Sequence, residues 1–338
     1  MQIQKFNTKE KVFIIAEIGN NHEGSFSLAE EMVGMAAESG ADAVKFQTII
    51  PEKLVSIQQS ERILQLQKFQ LSYDEYMKLS KVASKEGVIF LSTPFDIRSA
   101  IFLNDLVPAF KIASGDNDFY PMLEVVAGTG KPIIMSTGLM QLHEIEKSVL
   151  LIKNIWQKNH NTEELALLHC VSSYPTPPEN ANLLAINELK KISDIVGYSD
   201  HTSGIEAAIL SVALGARIIE KHFTIDNNYS DFHDHQLSSN PTEFKKLVNQ
   251  VRATEKMLGN GKKSLSDLEF KAEKSIRRSI VAIQNLPVGH KILMEDLDWV
   301  RPGDGIRPGN EKNIIGKRLN QDIQKGERIL MKHFSENI

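Results

Sequence analysis

Two lysines interrupt apolar runs of the chain at positions where an ammonium group needs an anionic partner. Lys45 stands within AVKFQT and Lys111 within AFKIAS. An unpaired ammonium in such surroundings is strongly penalised by desolvation, so each lysine must meet an internal carboxylate or an anionic ligand. Glu17 and Glu220 are the candidate internal partners. For either lysine taken alone, both interpretations stay open.

Further ammonium and hydroxyl groups lie close to similar apolar runs. Ser136 and Ser199 come at the ends of two runs, and Lys131 immediately precedes one. Clustered cations and hydroxyls bind phosphate and carboxylate oxygens, so together with Lys45 and Lys111 they favour a small, highly charged anion such as a phosphorylated carboxylic acid. We therefore predict that the three lysines converge on one anion site.

Two histidines follow the last two apolar runs, at His201 and His222. If these runs are adjacent strands, about 4.8 Å apart, both imidazoles can bind one metal ion. Two histidines leave positions for water and substrate, as a Lewis-acid role of Mn²⁺, Zn²⁺ or a similar ion requires. A lone histidine at a strand end is more often only hydrogen-bonded. The loop histidines His233 and His235, which flank the acidic Asp234, are interpreted as solvated.

The elements that would position these residues are repeated βα units. Short apolar, β-branched runs alternate with longer amphipathic ones up to about residue 258, a pattern typical of a parallel sheet covered by helices. The predicted strands span 12–18, 43–48, 88–92, 109–114, 132–136, 165–171, 195–198 and 217–224. Eight such strands predict a (β/α)8 TIM barrel, with the active site at their carboxyl ends. A doubly wound open sheet is the alternative, but no glycine-rich phosphate fingerprint follows the first strand.

The remainder of the chain predicts a second, smaller domain. We assign residues 1–258 to the barrel, the polar stretch 259–279 to a linker, and residues 280–338 to a small β-rich domain. This domain contains an internal echo, in which the segments that begin at Gln284 and Gln321 align without gaps and pair Gly289 with Gly326. Two copies of a turn, a strand and a short helical piece would form a pseudo-symmetric module, although coincidence between two common patterns is the alternative.

Composition excludes several classes of function. The 338 residues are 41% hydrophobic and 24% charged, and the formal net charge is −4. Because no block of Lys and Arg stands out, we expect neither nucleic-acid nor membrane binding. The single cysteine, Cys170, lies in an apolar run and fits a reducing compartment. With no signal-peptide pattern and no apolar stretch of membrane-spanning length, we expect a cytoplasmic protein.

The motifs together resemble the N-acylneuraminate (sialic acid) synthase family, including its relatives that make legionaminic, pseudaminic and spore-coat sugars. They occur in one order along nearly the whole chain: EIGNNHEGS from 17, GADAVKFQT from 40, LSTPFD from 91, FKIASGD from 110, KPIIMSTG from 131, SYPTPPE from 173, GYSDHTSG from 197 and GARIIEKHFT from 215. The tail, with DLDWVRPGDGI from 296 and KGERIL from 325, resembles the antifreeze-like (SAF-type) domain of that family.

The resemblance implies a metal-dependent condensation of phosphoenolpyruvate with N-acetylmannosamine or a related N-acyl amino sugar. Carbon 3 of phosphoenolpyruvate would add to the sugar aldehyde, water would trap carbon 2, and phosphate would leave by carbon–oxygen cleavage, giving N-acetylneuraminate or a related nonulosonic acid. His201 and His222 would hold the metal, with Mn²⁺ expected and Mg²⁺, Co²⁺ or Zn²⁺ as alternatives. Legionaminic or pseudaminic acid synthesis from a 2,4-diacetamido-2,4,6-trideoxyhexose is the alternative activity.

Carried over residue by residue, the resemblance assigns further roles. Glu23 and His222 would act in catalysis, and Glu23, Tyr174 and Asp234 would contact the sugar. The predicted phosphoenolpyruvate contacts are Lys45, Lys111, Lys131, Ser136, Ser172, Ser199 and Arg301. Arg301 would come from the partner of a domain-swapped homodimer, whose antifreeze-like domain caps the neighbouring barrel.

Two departures from the family pattern concern the ligand contacts. Some members have asparagine where this chain has Ser172, and the sugar loop reads FHDH from 232 where GPDH is more usual. The second change affects the pocket that would select among amino sugars, so the identity of the sugar stays open.

Three other functions compete with this interpretation. A deoxyheptulosonate or deoxyoctulosonate phosphate type of synthase would need added basic residues for a phosphorylated aldose, and the sequence shows none at the expected place. A Schiff-base aldolase would use Lys45 or Lys111 covalently. A non-catalytic carbohydrate or ice-surface binder, suggested by the tail, would have no use for buried lysines.

Overall fold

The computed structural model describes residues 1–334, and the chain divides into two compact units, Met1–Gly259 and Asn260–Ile338. The first unit opens with a short antiparallel hairpin, β1 (Gln2–Ile3) and β2 (Phe6–Asn7). Eight parallel strands follow: β3 (Phe13–Gly19), β4 (Ala43–Thr48), β5 (Ile89–Pro94), β6 (Phe110–Ile112), β7 (Ile133–Ser136), β8 (Leu165–Cys170), β9 (Ile195–Asp200) and β10 (Ile218–His222). Each overlaps one of the eight strands predicted from the sequence.

The eight strands form one sheet in the order β5-β4-β3-β10-β9-β8-β7-β6. All its ladders are parallel, and β10 pairs with both β3 and β9, so the last strand returns beside the first. The two ends of this order, β5 and β6, are sequence neighbours whose Cα atoms approach within 8 Å. The predicted (β/α)8 barrel is therefore confirmed.

Helices connect the strands and cover the outside of the sheet. They are α1 (Phe26–Glu38), α2 (Pro51–Leu54), α3 (Ser60–Phe69), α4 (Tyr73–Lys85), α5 (Ile97–Leu103), α6 (Tyr120–Gly128), α7 (Leu142–Lys158), α8 (Ile186–Leu189), α9 (Glu206–Ala213), α10 (His233–Leu237) and α11 (Pro241–Leu258). Local sequence explains where several begin. The side chains of Ser72 and Asn240, for example, each accept a hydrogen bond from the backbone N–H of the glutamate three residues later. The carboxylate of that glutamate accepts from the backbone N–H of Ser72 or Asn240, so α4 and α11 each begin with a capping box.

The alternation of side chains along each strand separates two cores. Ile14 and Ala16 of β3 face the helices and join the larger core, whereas Phe13 and Ile15 face the barrel axis. The axial core is completed by the same alternate positions of the other strands and by Met1 and Ile3 of the hairpin. Continuing each inward row toward the carboxyl end of its strand replaces apolar residues by charged and polar ones. The barrel is thus apolar at its amino end and polar at its mouth.

The second unit contains helix α12 (Asp267–Ile276) and an antiparallel pair, β11 (Ser279–Ala282) and β12 (Leu297–Val300). The stretch assigned to a linker thus includes a ten-residue helix. The internal echo is visible in the backbone, because Gly289 and Gly326 both have positive φ, at 80° and 79°. The echo also places the 3₁₀ turns Met294–Asp296 and Met331–His333 at equivalent positions, and Leu286 bridges its counterpart Ile323. These features support a pseudo-symmetric module.

Membrane association gains no support from the helices. Among residues 1–334, none of them is long and apolar enough to cross a bilayer.

The tight barrel interior predicts the effect of adding one methyl group at Gly197. This residue lies on β9, and a Cβ there would collide with the Ile218 carbonyl oxygen and the Leu168 side chain. We expect Gly197→Ala to lower the free energy of unfolding by about 1–3 kcal/mol, as overpacked cores do. Urea denaturation followed by circular dichroism would measure this.

Gly34 provides the matched control. It lies inside α1. Apart from the backbone of this helix and the neighbouring residues, no atom of residues 1–334 lies within 4 Å of the position of an added Cβ. Gly34→Ala should raise the free energy of unfolding by about 0.5–1 kcal/mol through helix propensity. Equal behaviour of the two variants would contradict the packing described for β9.

Candidate active site

Four charged side chains meet inside the mouth of the barrel. Lys45 Nζ lies 2.5 Å from Glu17 Oε2 and 3.7 Å from Glu220 Oε2, and Lys111 Nζ lies 3.2 Å from Glu220 Oε1. All four residues are buried. Each occupies the inward row of its strand, one step beyond the apolar core. Glu17 and Glu220, the candidate internal partners in the sequence, therefore do form ion pairs with the two lysines.

Burial and ion pairing shift the pKa values of these groups in different directions. Burial raises the pKa of Glu17 against the attraction of Lys45, and repulsion from Glu220 adds to the rise. Burial would also raise that of Glu220, but Lys111 and Lys45 hold its pKa below the usual range. The pKa of Lys111 is lowered by burial in spite of Glu220. An added anion would therefore meet two lysines whose charges Glu220 and Glu17 balance incompletely.

The charged cluster borders a cavity of about 220 Å³. Ser199 donates to Glu220 Oε1 at 2.7 Å, and Thr93 accepts from Lys45 Nζ at 2.8 Å. The hydroxyls of Ser136 and Ser172 also line this cavity and are buried without a hydrogen-bond partner among the described residues. Buried polar groups are nearly always satisfied, so these two hydroxyls indicate a place for a polar ligand.

His201 and His222 lie together at the same cavity, with ring centroids 5.6 Å apart. The Nδ1 atom of His201 is 2.8 Å from the Val171 carbonyl oxygen, which can only accept a hydrogen bond, so Nδ1 carries a proton and Nε2 is the nitrogen left for a ligand. Burial opposes the charge on this ring, but the Cys170 thiol and the Val171 carbonyl raise its pKa. The pKa of His222 is lowered well below the usual range, chiefly by burial, and its ring is therefore neutral. Both imidazoles can thus act as metal ligands.

Within residues 1–334, His201 and His222 are the side chains that would hold such a metal ion. In the part of the chain that the structure describes, no group of three or more His, Cys, Asp or Glu side chains is arranged to hold a metal ion. His222 Nδ1 is buried without a hydrogen-bond partner there, which fits a missing ligand. A metal at this place would take its other ligands from water and substrate, as an open catalytic site requires.

A buried ion pair braces the two strands that carry these histidines. Lys221 Nζ lies 3.0 Å from Asp200 Oδ2, and both side chains are almost completely buried on the helix-facing side of the sheet. The other oxygen of Asp200 accepts the backbone N–H and the hydroxyl of Thr202. Because Asp200 and Thr202 flank His201 and Lys221 precedes His222, this contact fixes the backbone on which both rings are mounted.

A second cavity, of about 230 Å³, adjoins the first and shares part of its wall. Its lining is made by residues of the barrel mouth and of α2, α3 and the loop after β10: Asn20, Gln47, Ile49, Leu54, Arg62, Gln65, Leu66, Phe69, Phe95, Tyr174, His222, Phe232, His233 and Asp234. Tyr174 stands between the cavities, with its ring centroid 4.1 Å from His201 and 6.0 Å from His222. The geometry provides two neighbouring binding spaces, with His222 and Tyr174 in their shared wall and His201 on the side of the first cavity.

Of the residues predicted to contact the sugar, Tyr174 and Asp234 line the second cavity, but Glu23 lines neither. Burial raises the pKa of Asp234 against the attraction of His233, whose Nε2 is 2.8 Å away. The Glu23 carboxylate instead accepts hydrogen bonds from Ser230 and from His235 Nε2, the latter at 3.1 Å. His235 is completely buried, so its interpretation as a solvated loop histidine is wrong.

The prediction that Lys131 joins the anion site is also wrong. Lys131 precedes β7 and therefore lies at the amino end of the barrel, opposite the mouth. Its ammonium group donates to the carbonyl oxygens of Asn104 and, at 2.7 Å, Val107. Polar residues that precede a parallel strand and those that follow it lie at opposite ends of the barrel, and this distinction was the signal in the sequence.

The remaining predicted phosphoenolpyruvate contacts divide between the two units. Ser136, Ser172 and Ser199 all line the first cavity with Lys45 and Lys111. Arg301 lies in the second unit, where it is exposed. Its predicted approach to an active site stays a prediction.

Sequence reasoning missed several cavity residues at or just beyond the strand ends. Gln47, Thr93, Phe95 and Ser114 line the first cavity. Gln47 points inward on β4, two residues after Lys45, and Thr93 is its partner on β5. Continuing the alternation of each strand by one more residue would have found these two.

Comparison with known proteins decides the family. The NeuB family model matches residues 32–263, more than half of the chain, and the SAF domain model matches residues 277–335. The chain belongs to the NeuB family. The resemblance inferred from the motifs is confirmed.

Relatives of this NeuB-family protein match it over nearly the whole length. N,N'-diacetyllegionaminic acid synthase of Legionella pneumophila is 40% identical over 95% of this chain and 94% of its own. Pseudaminic acid synthase of Campylobacter jejuni is 35% identical over 97% and 98%. The crystal structure of N-acetylneuraminic acid (sialic acid) synthetase from Leptospira borgpetersenii, in complex with citrate, is 36% identical with a TM-score of 0.75, over 80% of this chain and 94% of that one.

The positions of Lys111 and Lys131 predict that matched substitutions of the two residues affect phosphoenolpyruvate binding differently. Lys111→Met removes a buried ammonium from the cavity, and we expect the dissociation constant of phosphoenolpyruvate to rise at least about tenfold, since hydrogen bonds to charged groups contribute about 1.5–3 kcal/mol. Lys131→Met should leave this constant unchanged within about twofold, because it acts at the other end of the barrel. Calorimetric titration with phosphoenolpyruvate would distinguish them, and equal weakening by both would contradict the placement of Lys131.

Proposed function

We propose that this NeuB-family protein condenses phosphoenolpyruvate with the open-chain aldehyde of an N-acyl amino sugar and water, forming a nonulosonic acid and phosphate. The observation that carries the proposal is the pair of adjoining cavities, one lined by two buried lysines and the other by sugar-sized polar and apolar surface, with two histidines at their junction. The names of its relatives support the same reaction class.

Phosphoenolpyruvate would occupy the first cavity. Its phosphate and carboxylate need several cations and donors, and the cavity offers Lys45, Lys111 and the hydroxyls of Ser136, Ser172 and Ser199. Charge-assisted hydrogen bonds from buried lysines are strong because the groups are already desolvated. Glu220 would keep Lys111 in place before the ligand binds. These donors are preorganised, so little reorganisation is needed as charge shifts from the enol phosphate to departing phosphate.

His201 and His222 would hold a divalent metal ion, with Mn²⁺ as the first choice. When bound, such an ion supplies Lewis-acid polarisation of the sugar's aldehyde carbonyl. The Val171 carbonyl accepts from His201 Nδ1 and so leaves Nε2 for the metal. Burial lowers the pKa of His222, so this ring is neutral before it binds. Tyr174 packs against both imidazoles and would hold the rings in place.

The bond changes follow from the positions of the two substrates. Carbon 3 of phosphoenolpyruvate forms a bond to the aldehyde carbon, and carbon 2 then takes up the oxygen of water. The bond between carbon 2 and the phosphate oxygen breaks, and phosphate leaves with the bonding electrons. One proton of the water goes to the former aldehyde oxygen and the other to the departing phosphate, and carbon 2 becomes a ketone. Lys45 and Lys111 stabilise the anion that departs, and Asp234 and Tyr174 hold the sugar against the junction.

The second cavity supports an amino sugar with several methyl groups. Apolar surface is supplied there by Leu54, Leu66, Phe69 and Phe232. Among residues 1–334, Arg62 is the one Lys or Arg side chain that lines this cavity. A 2,4-diacetamido-2,4,6-trideoxyhexose offers two acetyl methyls and a deoxy methyl to this surface, in line with the 40% identity to a diacetyllegionaminic acid synthase. N-acetylmannosamine is the second candidate, favoured by the 36% identity to a sialic acid synthetase of known structure.

The SAF domain would complete the site from a second copy of the chain. In this proposal the domain covers the mouth of the partner barrel, and its exposed Arg301 adds a positive charge beside the bound phosphate. The match of the SAF model to residues 277–335 and the two-cation cavity support the arrangement. The active unit would then be a homodimer.

Sugar-dependent phosphate release tests the reaction. The protein with Mn²⁺ and phosphoenolpyruvate should release phosphate only when N-acetylmannosamine or a 2,4-diacetamido-2,4,6-trideoxyhexose is added, and a chelator should abolish the release. His201→Ala should lower turnover by at least about a hundredfold, as loss of a Lewis acid does, with an unchanged circular dichroism spectrum. His143→Ala, which changes an exposed histidine of α7, is the control and should retain full turnover.

Other results would redirect the assignment. Turnover that resists chelation and is trapped by borohydride with pyruvate would establish the Schiff-base route. Turnover only with a phosphorylated aldose would establish the deoxyheptulosonate or deoxyoctulosonate phosphate type of synthase.

A further inference from the structure

The loop between β10 and α11 contributes side chains to the second cavity, and contacts with the barrel must fix its position. Phe232, His233 and Asp234 of this loop line the cavity. The loop contains only one short helix, α10 (His233–Leu237). A helix of five residues is too short to be stable without tertiary contacts. Its contacts with the barrel therefore decide where Asp234 lies.

His235 supplies the central contact. Its side chain is completely buried, in contrast to its neighbour His233, which is 68% exposed. Nδ1 of His235 lies 2.6 Å from Thr224 Oγ1, and Nε2 lies 3.1 Å from Glu23 Oε1. Thr224 follows β10 directly, and Glu23 follows β3, its neighbour in the sheet. One imidazole thus connects the loop to two adjacent barrel strands.

The rest of the loop is closed upon itself. Asn227 donates to the carbonyl oxygens of His235 and Ser238, at 3.0 and 2.7 Å. Ser238 in turn accepts from Asn21 at 2.9 Å. These bonds preserve the shape of the loop and attach its far end. The link from the middle of the loop to Glu23 is made by His235 together with Ser230.

Glu23 is itself a rigid anchor. Its φ is +47°, and the adjacent Gly24 packs so closely under the Lys68 carbonyl at the end of α3 that a Cβ there would overlap it. Phe69, the last residue of α3, packs against Phe232 with ring centroids 4.9 Å apart. The loop after β3 therefore supports both α3 and, through His235, the loop that carries Asp234. Both segments line the second cavity.

We propose that His235 is a positioning residue for the sugar: by linking Glu23 to Thr224, it holds Asp234 and Phe232 at the second cavity without touching the substrate. The proposal rests on the proposed function and adds a residue to it. Its role is specific to the sugar, because the residues that line the first cavity lie in the strands or in other loops, and none comes from the loop after β10. Loss of the link should therefore weaken sugar binding and leave the phosphoenolpyruvate site intact.

Two substitutions test the two nitrogen atoms of the imidazole separately. In His235→Gln the amide nitrogen replaces Nε2 and keeps a donor toward Glu23, whereas in His235→Asn it replaces Nδ1 and keeps only the Thr224 side. Using the sugar that gives turnover with the wild type, we expect KM for the sugar to rise at least about tenfold in His235→Asn and under about threefold in His235→Gln, since a charge-assisted hydrogen bond is lost only in the first. KM for phosphoenolpyruvate should stay within about twofold in both.

A Glu23→Ala background tests whether His235 acts through Glu23. There, His235→Asn should raise KM for the sugar no further, because the link is already absent. Amide hydrogen exchange of residues 224–239 should be faster in His235→Asn than in the wild type or His235→Gln, and this measurement needs no turnover.

Several outcomes would overturn the proposal. Equal rises of both KM values, equal effects of Asn and Gln, or a full additional effect in the Glu23→Ala background would each show that the imidazole only supports the fold. A variant that does not fold leaves the other two comparisons to decide. Absence of turnover by the wild type with every sugar would instead reject the proposed function, and this role with it.

Discussion

Two lysines and two glutamates share the interior of one barrel, and the rest of the site depends on keeping them there. Lys45, Lys111, Glu17 and Glu220 are all buried, and burying even one such charge without a partner would be costly. Mutual ion pairing makes the group tolerable, while the two unpartnered serine hydroxyls beside it keep the cavity receptive to a polar ligand. The barrel wall holds every member on a different strand, and Glu220 lies within 4 Å of both lysines, so the four charges form one connected cluster. This is how a folded chain can retain a desolvated, cation-lined pocket for a small anion.

Strands and loops divide the work of binding. The first cavity is built mainly from inward positions of parallel strands, whose ladders restrict movement, and it suits a substrate that is the same throughout a family. The second cavity is built largely from α2, α3 and the loop after β10. Loops tolerate substitution better than barrel strands do. Relatives named for legionaminic, pseudaminic and neuraminic acids are consistent with a shared anion site and a variable sugar site.

The histidine pair illustrates how supporting contacts determine chemistry. The Val171 carbonyl selects the tautomer of His201, and the Lys221–Asp200 ion pair braces both strands from the outer side of the sheet. Asp200 and Lys221 each lie one position before a histidine, where the alternation turns side chains toward the helices. The same backbone thus presents ligands inward and their support outward. A loop could not provide this coupling, because its side chains do not alternate between a cavity and a packed core.

The amino-acid sequence was sufficient to predict the eight strands, the burial of Lys45 and Lys111 and the adjacency of His201 and His222, because all of these follow from short apolar, β-branched runs that alternate with amphipathic ones. It also placed Ser136, Ser172 and Ser199 near the strand ends that form the mouth. Contacts between segments far apart in the chain were decided only by tertiary structure. His235 looks like a solvated loop residue until the folded barrel brings Glu23 and Thr224 to its two nitrogens. The place of Lys131, by contrast, follows from its position before a predicted strand. Periodicity reports which face of an element is buried, whereas the partner of a polar side chain depends on how distant elements close around it.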